Sequence, residues 1–94
     1  MVVEGFMLSI STDDVVVSAG RLGDLAVDTA TIDVSAEALG DGTHNVVVED
    51  DGTIVAQLAT AALTDGEFVV GQFTEDTAAA TAINAAITEP ARYL

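Results

Sequence analysis

The chain has 94 residues, 50% of them hydrophobic and 4% aromatic, with 16 Asp+Glu against 2 Lys+Arg and a net charge of −14. So acidic a surface excludes nucleic acid as a direct partner, because phosphate binding needs basic groups, and it disfavours anionic membrane surfaces on the same ground. Cysteine is absent, which removes disulfides and thiolate metal sites and leaves the redox compartment unmarked.

The opening stretch MVVEGFMLSIS lacks a basic region and carries Glu4 early, so no signal peptide is expected. No run approaches the roughly 20 apolar residues of a membrane helix. The product is expected to stay inside the cell or to be packaged there. Short β-prone runs then follow one another: Phe6–Ser11, Val15–Ser18, Leu25–Val27, Thr31–Val34, Asn45–Glu49, Thr53–Leu58 and Phe68–Phe73. Breakers separate them at Gly20–Gly23, Gly40-Asp41-Gly42, Asp50-Asp51-Gly52 and Asp65-Gly66, the spacing of an antiparallel β domain. GRLG at 20–23 reads as a turn. Ser35–Leu39 offers a serine cap, helix formers and a closing glycine, so one helical turn is expected there.

Residues 46–58, VVVEDDGTIVAQL, read as a hairpin, since Asp-Gly between apolar runs suits a type I′ turn with positive φ at both central residues. Ile54, Ala56 and Leu58 fall on one face of its second strand and Thr53, Val55 and Gln57 on the other. By the same logic Asp65-Gly66 is the turn between Leu58–Leu63 and Phe68–Phe73. Thr77–Ile87 carries both periods: Ala79, Ile83 and Ile87 recur at helical spacing, while Thr81, Ile83, Ala85 and Ile87 alternate as a strand would. In a β context the strand is preferred, after a turn at Glu75–Ala80. Pro90 ends that element, and ARYL is a short tail with an aromatic anchor. The expected fold is mainly β, a compact antiparallel sandwich or barrel over residues 1–94 with at most one or two short helical turns. Its Ala-, Val- and Thr-rich core buries little area per residue, so association with copies or a larger partner should add stability.

Three readings of the acidity compete. Disorder fits poorly with a positive mean hydropathy and many β-branched residues. A basic partner is the second reading; adaptation to molar salt is the third and the preferred one. A fold of this size exposes on the order of 5,000 Å², which spaces evenly spread carboxylates roughly 15–20 Å apart. The Debye length is about 8 Å at physiological salt and about 3 Å at 1 M. Clusters such as Asp13-Asp14 and Glu49-Asp50-Asp51 therefore repel until salt screens them.

Each chemical motif has a plain structural reading. EDDG fails the EF-hand pattern: counted from Asp50, position 3 is Gly52 and position 12 is Ala61. Asp13-Asp14, and Asp24 with Asp28, lie beside turns, where solvated carboxylates are expected rather than a raised-pKa acid/base pair. His44 is the lone histidine and cannot build a typical zinc site; it follows Gly-Asp-Gly-Thr and is expected at the surface. GRLG is too short for a phosphate loop and no lysine accompanies it. Arg21 and Arg92 are each expected in a salt bridge, within the fold or across a subunit contact. No catalytic, cofactor-binding or metal residue is assigned, and no enzymatic activity is expected.

The stretch DGTIVAQLATAALTDGEFVVGQFTEDTAAATAINAAITEPARYL resembles the small head decoration, or capsid cement, proteins of tailed bacterial and archaeal viruses. Within it, GQFTEDTAAATAINAAI fills the run of glycine, apolar strand, small acidic–alanine turn and alternating strand. The resemblance covers about half the chain. It implies a β-rich subunit on the outside of a capsid, clamping neighbouring major capsid proteins and self-associating as a homotrimer, assembled in the host cytoplasm. With the acidity, it implies a virus of a halophilic archaeon. A tail component of the same virion fits too, and the alternative from another class is a small acidic cellular β domain that binds a protein or sugar ligand.

Overall fold

The computed structural model describes residues 2–86 and 92–93. Its N-terminal third is one bent antiparallel meander. Strand β2 (Leu8–Ser11) pairs with β3 (Asp14–Val17), which pairs with β6 (Ala30–Ile32). Beyond a corner, β1 (Val2–Gly5) pairs with β4 (Gly20–Leu22), and β4 with β5 (Leu25–Val27). Thus β1 runs into β2, β3 into β4 and β5 into β6. GRLG is accordingly strand followed by turn: Gly20, Arg21 and Leu22 pair on both sides, and Gly23, at φ 58°, starts the two-residue turn into β5. Phe6–Ser11 likewise begins as a corner rather than a strand, and pairing extends back to Val2.

The corner explains its own sequence. Gly5 (φ 78°) and Phe6 (φ 56°) swing the chain between sheets, which drives the Phe6 ring fully into the core. Ser18 closes the bend by accepting the Met7 N–H at its hydroxyl (2.9 Å) and donating its own N–H to the Met7 carbonyl (2.9 Å). Thr29 does the same for the third strand, accepting the Ala19 N–H at 3.2 Å. Glycine is required by close approach: a Cβ on Gly5 would lie 2.6 Å from the Ala19 carbonyl oxygen, and one on Gly20 2.7 Å from the Phe6 ring.

A single helical turn, α1 (Val34–Glu37), follows. Its cap is Asp33, not Ser35: Asp33 Oδ1 accepts the Ala36 N–H at 3.3 Å and the Ser35 hydroxyl at 2.9 Å. Placing the start two residues earlier turns Val34 inward, 1% exposed, and ends β6 at Ile32.

The remaining chain builds a four-stranded sheet in the order β10-β9-β7-β8. Strand β7 (Gly42–Glu49) and β8 (Ile54–Leu58) form the expected hairpin, but its turn differs. Glu49 accepts the Gly52 N–H (2.9 Å) and donates to the Thr53 carbonyl (2.8 Å), and of the three loop residues Gly52 alone has positive φ (91°). That is a three-residue loop with a glycine bulge rather than type I′. Strand β9 (Glu67–Asp76) lies on the other side of β7, antiparallel to it. Asp65-Gly66 is therefore no hairpin turn. Both β8 and β9 run antiparallel to β7, so they are parallel to each other, and residues 59–66 return along β7 as a crossover.

Residues 79–86 form β10, paired with β9 through two register shifts, so the strand reading of this segment stands; Ile87 and Pro90 lie outside the described residues. The intervening Thr77 (φ 55°) and Ala78 (φ 61°) both adopt left-handed backbone without glycine. Arg92–Tyr93, within the expected tail, pair with Val2 and Val3 as β11.

The molecule is mainly β, three antiparallel sheets arranged like a sandwich. The β2-β3-β6 sheet faces the four-stranded sheet, with β2 over β10 and β6 over β8. Between them Val15, Val17, Val34, Val46, Val48, Val70 and Phe73, each at most 1% exposed, join Phe6 in one continuous core. Small β-branched side chains suit this closely spaced pair of pleated layers.

Candidate functional site

The sequence placed His44 at the surface; the structure buries it completely. Strand β7 begins at Gly42, three residues before the expected Asn45, and that extension puts His44 on the same face as Val46 and Val48. Phe73 lies directly across on β9, its ring edge-on at 5.4 Å between centroids. Two residues on, Glu75 takes the diagonal position beside His44 and is 4% exposed. The imidazole Nε2 lies 2.7 Å from the Gly40 carbonyl and 3.4 Å from Glu75 Oε1. A carbonyl only accepts, so the shorter contact places a proton on Nε2. Nδ1 and Glu75 Oε1 are buried without a hydrogen-bond partner.

This is the one contact between a basic and an acidic side chain within 4.0 Å among the described residues, and its geometry is that of a brace. Its reach to Gly40 ties the segment after α1 to the sheet. Asp41 reinforces that tie by accepting the Thr77 N–H at 2.8 Å, which also fixes the β9–β10 turn. With Nε2 engaged and both side chains enclosed, the pair presents no reactive atom to solvent.

The other singled-out residues go to turns and rims. Asp14 Oδ1 accepts the Val34 N–H at 3.4 Å, and the Asp13 carbonyl accepts the Ala80 N–H at 2.9 Å, which binds the β2–β3 turn to β10. Asp24 and Asp28 are exposed. In EDDG, Asp51 accepts the Thr53 N–H at 2.9 Å, and this backbone bond, with a further one from the Thr53 hydroxyl, holds its carboxyl below the ordinary 3.8. Asp50 turns to the crossover, its carboxylate lying where a Cβ on Gly66 would fall. Asp50 and Asp51 of the tip thus diverge. Among the described residues no three His, Asp or Glu side chains gather as metal ligands would. Arg21 finds no carboxylate within the described fold; its guanidinium reaches the Asp24 carbonyl at 3.5 Å. The Arg92 side chain lies outside the described residues.

A second polar cluster was not anticipated. On the face of β7 turned away from the core, Asn45 is 7% exposed and accepts from Gln72 Nε2 at 2.8 Å. Next to it Gln57 donates to Glu67 Oε2 at 2.8 Å, while Glu67 Oε1 accepts both the N–H (2.7 Å) and the hydroxyl (2.8 Å) of Thr64. The Thr64 backbone bond, then its hydroxyl and Gln57, hold the Glu67 carboxyl below the ordinary 4.5. The group pins the end of the crossover to the sheet. Val47, on the same face, is fully buried although it points away from the core.

A scan of protein-family models and searches of curated proteins and of solved structures found no match to this chain.

Proposed function

We propose that this chain is a structural subunit rather than an enzyme: a capsid decoration protein of a tailed virus with a halophilic archaeal host. It sits on the outside of the shell, binds the major capsid protein and stabilises junctions between subunits by adding buried area in high salt, with self-association as a homotrimer. The observation that carries the reading is how the acids are used. In a chain of net charge −14, Asp14, Asp33, Asp41, Asp51 and Glu67 each cap a backbone N–H at a turn or strand end, so the negative charge is spread over the rims of a valine core. Such a surface suits brine, where screening removes the repulsion and hydration remains. The segment that carries the resemblance supports the reading by its shape, a strand from Glu67, a small acidic–alanine turn and a second strand to Ala86.

The test is quantitative protein analysis of particles purified from a halophilic host that carries this chain, followed by imaging with and without it. The expected result is many copies per particle and loss of particle integrity on stripping. A monomer found in soluble extract and absent from particles overturns the proposal.

A further inference from the structure

We propose that Asp65-Gly66 is a site of spontaneous covalent modification, where the main chain of the folded protein converts to an isoaspartyl linkage. The chain holds three Asp-Gly dipeptides, at 41–42, 51–52 and 65–66. All three carry the same chemistry: the aspartyl carboxyl reaches back toward the next peptide nitrogen, and glycine puts no Cβ in its way. The fold restrains two of them and leaves the third free.

Ring closure needs a carboxyl group and a glycine N–H that are both free to turn toward each other. At 51–52 neither is free: Asp51 Oδ1 accepts the Thr53 N–H at 2.9 Å, and the Gly52 N–H donates to the Glu49 carbonyl at 2.9 Å. At 41–42, Asp41 Oδ1 accepts the Thr77 N–H at 2.8 Å, and Gly42 is the first residue of β7, in register with Glu75 on β9. Asp65 is exposed. Among the described residues its carboxyl makes no hydrogen bond or ion pair, and the Gly66 N–H has no acceptor. The nearest side chain is Asp50, with Oδ2 2.7 Å from where a Cβ on Gly66 would stand, and it takes no bond from that N–H. Residues 60–65 are all exposed, so this segment turns without uncovering the core.

The reaction exchanges only water. The Gly66 nitrogen attacks Asp65 Cγ; the N–Cγ bond forms, the carboxyl hydroxyl leaves with the N–H proton as water, and a succinimide ring remains. Water then opens the ring at one of its two carbonyls. Attack at Cγ restores aspartate. Attack at the Asp65 main-chain carbonyl breaks the original peptide bond, so the chain runs through Cβ and Cγ and the α-carboxylate is set free. Net charge is unchanged and one methylene has entered the main chain. It enters inside the turn that pins the crossover, where the Glu67 N–H meets the Thr64 carbonyl at 3.2 Å and Glu67 Oε1 accepts the Thr64 N–H and hydroxyl at 2.7 and 2.8 Å. The longer link spreads these partners and loosens the crossover from the sheet. None of this rests on the virion reading.

The experiment stores the full chain at neutral pH in molar KCl, in water enriched in heavy oxygen, and maps its peptides by mass spectrometry; each ring opening leaves one heavy oxygen behind. Label at Asp65 is expected to exceed that at Asp41 and Asp51 at least about tenfold, because hydrogen bonds must open first at those two turns. In strong denaturant the three should label within a factor of about two of one another. Asp65→Glu keeps the charge but requires a larger ring, so it should abolish label at position 65, and its urea midpoint should hold on storage while that of the parent falls. Label at Asp41 or Asp51 as fast as at Asp65 in the folded chain overturns the proposal, as does the same preference for Asp65 in denaturant. A parent midpoint that holds as well as the variant's overturns the loosening of the crossover.

Discussion

Replacing Gly5 by alanine tests the corner on which the whole meander turns. Two costs add. At φ 78° an L-residue loses about 1 kcal/mol relative to glycine. The new Cβ would also lie 2.6 Å from the Ala19 carbonyl oxygen and 2.8 Å from Gly20 Cα, both backbone, so neither can rotate away. Relieving that overlap requires the ends of β1 and β4 to part by several tenths of an ångström. This strains the Phe6 N–H bond to Ala19, already 3.4 Å long, and the seat of the buried Phe6 ring. Overpacking of this kind adds about 1–3 kcal/mol, giving about 2–4 kcal/mol in all. Gly40→Ala is the control: its φ is 89° but nothing lies within 4 Å of its Cβ, so about 1 kcal/mol is expected. Urea unfolding of the three proteins in molar KCl, read by linear extrapolation at constant slope, measures both. If Gly5→Ala costs no more than Gly40→Ala, within about 0.5 kcal/mol, the close approach at the corner is not what demands glycine.

Three further outcomes follow from the same structure. The Thr77-Ala78 turn places two ordinary residues at positive φ (55° and 61°), so Thr77→Asn with Ala78→Gly should stabilise the fold by about 1–2 kcal/mol in urea melts, and a destabilised double variant would contradict the turn assignment. Removing one member of the buried brace, as in His44→Leu, leaves Glu75 enclosed beside an apolar side chain and should cost about 2–4 kcal/mol; adding Glu75→Leu should recover at least about 1 kcal/mol, and strict additivity in that double-mutant cycle would mean the two side chains do not interact. Backbone bonds from Thr53 and Thr64 lower the carboxyl pKa values of Asp51 and Glu67. A lowered folded value stabilises fully above the ordinary 3.8 and 4.5, and that stability is lost as pH falls through the folded values. Asp51→Asn and Glu67→Gln should therefore lower the urea midpoint at pH 7, with the gap to the parent closing below about pH 4.5; a constant gap down to pH 3 would contradict it.

The β-rich class and the positions of most strands were legible because Val, Ile and Thr runs between glycine and aspartate breakers leave little choice. What failed was local parity and long-range pairing. His44 looked like a loop residue because Gly42-Thr43 precede it, yet it is two positions from Val46 and four from Val48, the parity of the core face. Glu75 follows Phe73 by the same two-residue step, so both halves of the brace were readable once each strand was extended. The turn at Asp65-Gly66 misled for a different reason. A dipeptide signals that the chain bends, but not which strands then pair, and β7 lies between β8 and β9. The helix cap slipped because Asp33 and Ser35 are both good caps, and only the burial of Val34 decides between them. The Gly5–Gly20 corner carried no signal beyond the glycines themselves, since their role exists only when two strands meet.

The account rests on a thin valine core under an acidic surface, and salt tests that most directly. The chain has 16 Asp and Glu against 2 Arg, and among the described residues Glu75 is the one carboxylic acid withdrawn from an accessible surface of 4882 Å². Screening should therefore stabilise the folded state until the Debye length falls to about 3 Å near 1 M. The decisive measurement is the melting temperature of the purified chain from 0.1 M to molar KCl at neutral pH. A melting temperature that climbs steeply over this range is the predicted result; a flat or falling one would contradict a fold built for brine.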